Sequence, residues 1–205
     1  MEELIGAMAP QKTSVWDNYV PIITNGRHSD VYLHNVIEAP DEYSELCHKL
    51  YSAYDNDTFT LHINNGGGYV DAGFMIIDAI KNSKAKVKAK LSGTVASVST
   101  IITLSCTEVE MADYLQFMIH NYSSGAQGKG HEMLAQMEFT NAELNKAFAE
   151  IYHGFLTEHE MELVIAGKDM WMGKNEIQRR LDARKTGNDA QLQNIADKSK
   201  ALPPA

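Results

Sequence analysis

The feature that most constrains this chain is a rhythm, because extended and helical patterns alternate at short, even spacing from residue 31 to residue 119. Residues 31–37 (VYLHNVI) are rich in aromatic and β-branched types, which suit a pleated surface. Residues 41–54 then carry Tyr43, Leu46, Leu50 and Tyr54 at helical spacing. Residues 58–64 (TFTLHIN) alternate as a strand does, and Gly66, Gly67 and Gly68 follow. Residues 70–80 (VDAGFMIIDAI) read as a helix closed by Asn82 and Ser83. Residues 86–91 (KVKAKL) alternate again, and after the break at Ser92 and Gly93 the run TVASVSTIITLSC suits a buried helix. A strand over about 115–119 ends at His120. This order predicts an α/β fold with a parallel sheet and helices on its faces, since parallel neighbours need right-handed crossovers. Sites in such sheets form beyond the carboxyl ends of the strands. Gly66 to Gly68, the turn at 93–97 and His120 all fall at such ends.

Past Gly130 the pattern becomes one long helix over 130–155, with Leu144, Phe148, Ile151 and Phe155 on a helix-packing seam. Packing on its own domain and contact with another subunit are both open for that seam. Thr157 and Glu160 have capping-box spacing, and the short helix they open stops at Gly167, just before Asp169. From about 183 the chain turns polar and ends in Pro-Pro-Ala, a composition predicting a mobile tail. The expected plan is an N-terminal extension over 1–18, one domain over 19–182 and a disordered tail over 183–205.

Composition removes several functions. Acidic residues outnumber basic ones, 27 against 18, with a net charge of -9 and no Lys/Arg stripe, which argues against nucleic acid or an anionic membrane as partner. No stretch approaches the ~20 apolar residues that cross a bilayer, and the acidic start lacks the apolar run of a secretory signal. A cytoplasmic location is expected. Cys47 and Cys106 stand far apart in no pairing motif and read as interior thiols. The histidines at 28, 34, 48, 62, 131, 153 and 159 show no metal-ligand spacing, so neither metal nor cofactor is expected.

The candidate chemistry lies at the strand ends. Ser97, in Gly-Thr-Val-Ala-Ser, sits just inside the start of an apolar helix, where free backbone N–H groups and the helix dipole favour an oxyanion. Taken singly, it reads first as a small packing residue, and its neighbours change that reading. A serine hydroxyl needs a base, and His120, leading from an apolar strand end into a polar turn, is the candidate. Asp169 is the candidate to orient that histidine, although alone it is an ordinary turn residue. Gly66, Gly67 and Gly68 offer backbone N–H donors unobstructed by side chains, as an oxyanion hole requires. A phosphate-binding turn is the competing reading, weakened because neither G-x-G-x-x-G nor G-x-x-x-x-G-K-[ST] is present.

With these residues placed, the sequence resembles the ClpP family, the proteolytic subunit of the Clp serine protease. The family's I-N-S-P-G-G, with A-G a few residues on, corresponds to INNGGGYVDAG at 63–73. Its G-x-A-A-S matches GTVAS with Ser97, and its M-I-H matches 118–120. The acid motif looks like DMWMGKNEI, which assigns the role to Asp169. SGAQG at 124–128 echoes the family's glycine turn, and the long handle helix matches 130–155. The resemblance spans roughly 19–182. It implies a ClpP/crotonase-like fold of repeated β-β-α and βα units with a protruding handle helix. It further implies a Ser97, His120, Asp169 triad, with oxyanion donors at the Gly68 and Val98 N–H groups. A substrate strand of peptide or unfolded protein would lie along Gly67, Gly125, Ala126 and Gln127, and the assembly would be a homo-oligomer of stacked rings.

This chain also departs from the family. The segment between VPII at 20–23 and Val31 is shorter than the family's, so most of the first helix, which helps dock an AAA+ unfoldase, is missing. Gly66 stands where the family has proline, and Asn121 and Tyr122 where it has Gln-Pro. Trimmed relatives occur among virus-encoded capsid-maturation proteases, for which the location would be host cytoplasm. The expected function is a serine endopeptidase. The alternatives are a catalytically silent structural or regulatory subunit, a capsid-maturation protease, and crotonase-type acyl-CoA chemistry.

Overall fold

The computed structural model describes residues 20–125 and 127–200. In chain order its elements are β1 (Ile22–Asn25), β2 (His28–Ile37), α1 (Ser44–Tyr51), β3 (Thr58–Gly68), α2 (Val70–Asn82), β4 (Lys86–Ala96), α3 (Val98–Ser105), β5 (Glu108–Ile119), α4 (Gly130–Tyr152), α5 (Glu158–Ile165), β6 (Met170–Gly173), α6 (Lys174–Thr186) and α7 (Asp189–Lys200). The strands form one six-stranded sheet in sequential order. β2 to β5 run parallel, and β1 and β6 close the edges antiparallel.

Strand alternation decides which face is buried. Phe59, Leu61 and Ile63 of β3 and Val87, Ala89 and Leu91 of β4 point inward under α1, α2 and α3, which supply Leu46, Leu50, Ile76, Ile77, Ile101 and Ile102. Burying each large aliphatic side chain contributes about 1.5–3 kcal/mol. The opposite face is polar: Lys88 contacts Glu108 at 3.0 Å and Glu110 at 3.6 Å. On the same face Asp30 accepts from His62 Nε2 at 2.7 Å, a bond that holds its carboxyl below the usual range.

β3 and β4 outrun their apolar stretches, reaching Gly68 and Ala96 rather than stopping near 64 and 91. Pairing continues past the apolar residues, with Ile37 opposite Gly68, Asn65 opposite Val95 and Thr94 opposite Gln116. Each of these ladders shifts register on the way, at Asn35/Ile37, Ile63/Asn65 and Leu91/Gly93, and such bulges re-aim strand ends near functional sites. The helix expected from residue 94 therefore begins only at Val98.

The handle helix ends at Tyr152, three residues short of its expected limit, because His153 leaves helical geometry and Gly154 takes φ +72°. Its last turns pack on their own domain. Phe148 lies 6.3 Å from Phe74, and the Tyr152 hydroxyl bonds the Thr100 hydroxyl at 2.6 Å. The first turns project, leaving Leu134, Met137 and Phe139 exposed, the last at 70%.

The expectation of a mobile tail from 183 is corrected as far as Lys200. α6 ends at Gly187, φ +60°, and α7 lays Leu192 and Ile195 against Ala183. A few well-spaced apolar residues dock this polar helix, a pattern hidden when composition is averaged over the segment. The expected extension over 1–18 and residues 201–205 lie outside the described residues. No described helix is long and apolar enough to cross a membrane.

Candidate active site

Ser97 occupies the sharp turn between β4 and α3 with φ 56° and ψ -131°, a conformation that non-glycine residues rarely adopt. Bonds on both sides hold it there. Its N–H donates to the Met118 carbonyl at 2.9 Å, and its own carbonyl accepts from the Thr100 N–H at 2.9 Å and the Thr100 hydroxyl at 2.6 Å. Strained residues kept in place by their surroundings concentrate at functional sites. Val98 follows as the first residue of α3, so its N–H has no acceptor within the helix.

Two glycines make room for this turn. A Cβ on Gly67, at φ +103°, would lie 2.4 Å from the Ser97 Cβ. One on Gly68, at φ +148°, would lie 2.0 Å from the Ile37 carbonyl oxygen. Neither approach leaves space for a side chain, which explains why backbone alone is presented beside the serine.

His120 follows the last residue of β5 and is half-buried. Antiparallel pairing of β5 with β6 runs from Gln116 opposite Gly173 to Ile119 opposite Met170. Carried one residue further, that register sets His120 opposite Asp169. The approach to Asp169 is built by Gly167, whose φ of +96° stops α5, with the Gly167 N–H donating to Val164 and the Lys168 N–H to Leu163. Asn121 ties the chain just past β5 to the end of α5 through Nδ2 donating to the Ile165 carbonyl at 3.0 Å. The fold thus brings Ser97, His120 and Asp169 to neighbouring strand ends. Among the described residues no hydrogen bond joins the three side chains, and Asp169 is exposed.

Beside Gly68 opens a cleft of about 440 Å³, lined chiefly by Val36, Tyr69, Val70, Tyr122 and Leu144, with Asp71 on its wall. Tyr122 is anchored to the handle helix by its hydroxyl donating to Asn141 at 2.6 Å. Gly125 and Gln127, expected along a substrate strand, lie exposed in the irregular segment between β5 and α4; Ala126 lies outside the described residues. Neither cysteine is poised as a nucleophile, because burial, with the Asp78 charge, pushes the Cys47 thiol up to about 11, and burial pushes Cys106 up to about 12.

Motif reading gave Asn65 no role, and it marked Asn121 and Tyr122 only as departures from the family's Gln-Pro without foreseeing their bonds to α5 and α4. Asn65 bonds the Gly67 N–H through Oδ1 at 2.8 Å. An asparagine directly before a glycine run was the available signal, since its carboxamide readily bonds backbone two residues on.

A sequential, mainly parallel sheet, a strained serine between strand and helix, and a glycine-lined backbone facing it define the class: a mixed α/β protein with a ClpP-like fold. The sequence profile of Clp protease matches residues 27–179, and the chain belongs to the Clp protease family. It is 27% identical over 141 residues to the ATP-dependent Clp protease proteolytic subunit 3 of Rhizobium meliloti, covering 64% of this chain and 70% of that protein. It is 26% identical over 162 residues to the corresponding subunit of Bacteroides thetaiotaomicron, covering 76% and 69%. For subunit 1 of Chlamydia muridarum the match is 29% over 120 residues, 56% of this chain and 62% of that one. Among solved structures, a ClpP1 mutant from Listeria monocytogenes superposes with a TM-score of 0.58 at 23% identity, covering 74% of this chain and 86% of that chain.

Proposed function

We propose that this chain is a serine endopeptidase acting on peptides or unfolded protein within a ring assembly built through α4. The observation that carries the reading is the strained turn at Ser97, packed against Gly67 and followed by the free N–H of Val98. In the proposed cycle Ser97 Oγ attacks the scissile carbonyl while His120 takes its proton, and the oxyanion is received by the Gly68 and Val98 N–H groups. His120 then protonates the leaving amine, and water, deprotonated by the same histidine, releases the acyl group. Asp169 holds the histidine's orientation. The cleft beside Gly68 takes a substrate side chain of largely apolar character, and main-chain bonding along β3 gives loose sequence preference. Docking of an AAA+ unfoldase is not part of the proposal.

Labelling by a fluorophosphonate, located by mass spectrometry, tests the nucleophile. The expected result is one modified peptide containing Ser97 and complete loss of labelling in Ser97→Ala. A second reading, a catalytically silent ring subunit, draws on the absence of hydrogen bonds among the three side chains. A folded, assembled protein that resists the probe would place that reading first.

A further inference from the structure

Two oxyanion donors on different segments must keep a fixed separation, and one buried side chain bonds to both segments. Asn65 is 1% exposed. Its Oδ1 accepts the Gly67 N–H at 2.8 Å, on the strand end that carries Gly68. The same oxygen accepts the Ser99 hydroxyl at 2.8 Å, on the turn of α3 that begins with Val98. Its Nδ2 is buried with no partner among the described residues. Because a backbone N–H can only donate, the amide oxygen has to face Gly67, and the unpaired Nδ2 follows from that orientation. An unpaired buried donor is costly, so the orientation is held for the two bonds on Oδ1.

We propose that Asn65 is a positioning residue that staples the Gly68 end of β3 to the Val98 end of α3 and so sets the spacing of the two N–H groups. The inference rests on the peptidase reading above. Asn65 acts through its neighbours: Gly67 packs against the Ser97 Cβ, and Ser99, 0% exposed, lies two residues beyond the nucleophile. Loss of the carboxamide lets both segments drift relative to each other, which misplaces donors without removing them.

The test compares Asn65→Leu, which removes the acceptor at the same number of side-chain heavy atoms, with Ser99→Ala, which cuts one arm of the staple and leaves Asn65 in place. A carboxylate at 65 is avoided because a buried negative charge beside the oxyanion would itself slow the reaction. Hydrolysis of a fluorogenic peptide yields kcat and KM, and amide hydrogen exchange reads the Gly67 N–H in the same assembled, folded samples. Deleting a whole oxyanion donor lowers kcat about 10²- to 10³-fold, so misplacement is expected to cost about 10- to 100-fold. Asn65→Leu should show that fall with KM within about twofold, and Gly67 exchange should accelerate roughly tenfold or more. Ser99→Ala, with the Gly67 arm intact, should fall between wild type and Asn65→Leu in both kcat and Gly67 exchange. Unchanged kcat in Asn65→Leu, or Ser99→Ala indistinguishable from wild type in both readouts, overturns the proposal. Should the wild type neither hydrolyse peptide nor react at Ser97, the peptidase reading has failed by itself. The exchange data then decide the staple alone: unchanged Gly67 exchange in Asn65→Leu overturns it, and accelerated exchange supports it.

Discussion

At the scale of single residues, the site depends on what is missing as much as on what is present. Gly67 lets the chain pass against Ser97, and no side chain fits the 2.4 Å left for a Cβ. Gly67→Ala is therefore expected to cost more than about 2 kcal/mol in urea unfolding, from positive φ and steric overlap together, and to lower peptide hydrolysis more than it raises KM. Equal stability of variant and wild type would contradict this packing. Asn121 offers a milder case. Removing its bond to the Ile165 carbonyl loosens the turn after His120 from the end of α5, whose loop leads to Asp169. Asn121→Ala should lower kcat with little change in melting temperature, as a bond of about 1 kcal/mol between surface segments implies.

At the scale of elements, α5 and α6 are held by a buried ion network. The Arg180 guanidinium, 0% exposed, donates to Glu160 at 2.8 and 3.0 Å, to Glu176 at 2.8 Å and to the Phe155 carbonyl at 3.0 Å. Glu160 also completes the capping box with Thr157. Arg180→Ala strands a buried carboxylate and is expected to destabilise by roughly 3–5 kcal/mol, measured by denaturant unfolding. Burial pushes the Glu160 carboxyl up, but the Arg180 and Thr157 hydrogen bonds outweigh it, leaving the net shift below the ordinary 4.5. A depressed carboxyl stabilises the fold fully above its unfolded value and loses that contribution as pH falls through the folded one. The stability gap between wild type and Glu160→Gln should thus be constant near neutrality and close below about pH 4.5. A gap that widens on acidification would refute the assignment.

For the whole molecule, the sheet places the glycine run, Ser97 and His120 at the carboxyl ends of β3, β4 and β5, the position that parallel architecture favours for sites, and the antiparallel edge strand β6 brings Asp169 to the same end from its amino terminus. α4 supplies a second feature, since its last turns enter the core while Leu134, Met137 and Phe139 stay exposed on its first turns. Apolar side chains at that density on a projecting helix are what a subunit interface requires. Light scattering at micromolar concentration should find an oligomer for wild type and a smaller species for Phe139→Glu, with helical content preserved. Monomer in both would remove the ring assembly from the proposed function.

The order of elements was legible because it rests on local periodicity. β2, α2, α4 and the capping box of α5 follow from side-chain spacing alone, and spacing is a property of the chain. Ser97, His120 and Asp169 were legible as motifs, together with the glycines beside them. Other features were decided only by the folded chain. Strand pairing across bulges carried β3 and β4 past their apolar residues, and partners distant in sequence settled the short strand β6. Docking against Ala183 ordered α7, whose polar composition argued otherwise. The turn at Ser97, the register that sets His120 across from Asp169 and the Ser99 bond to Asn65 Oδ1 depend on segments some 20 to 50 residues apart, whereas the Gly67 bond to the same oxygen is local. Local sequence carries propensity and period, whereas contacts between distant segments depend on how the whole sheet closes.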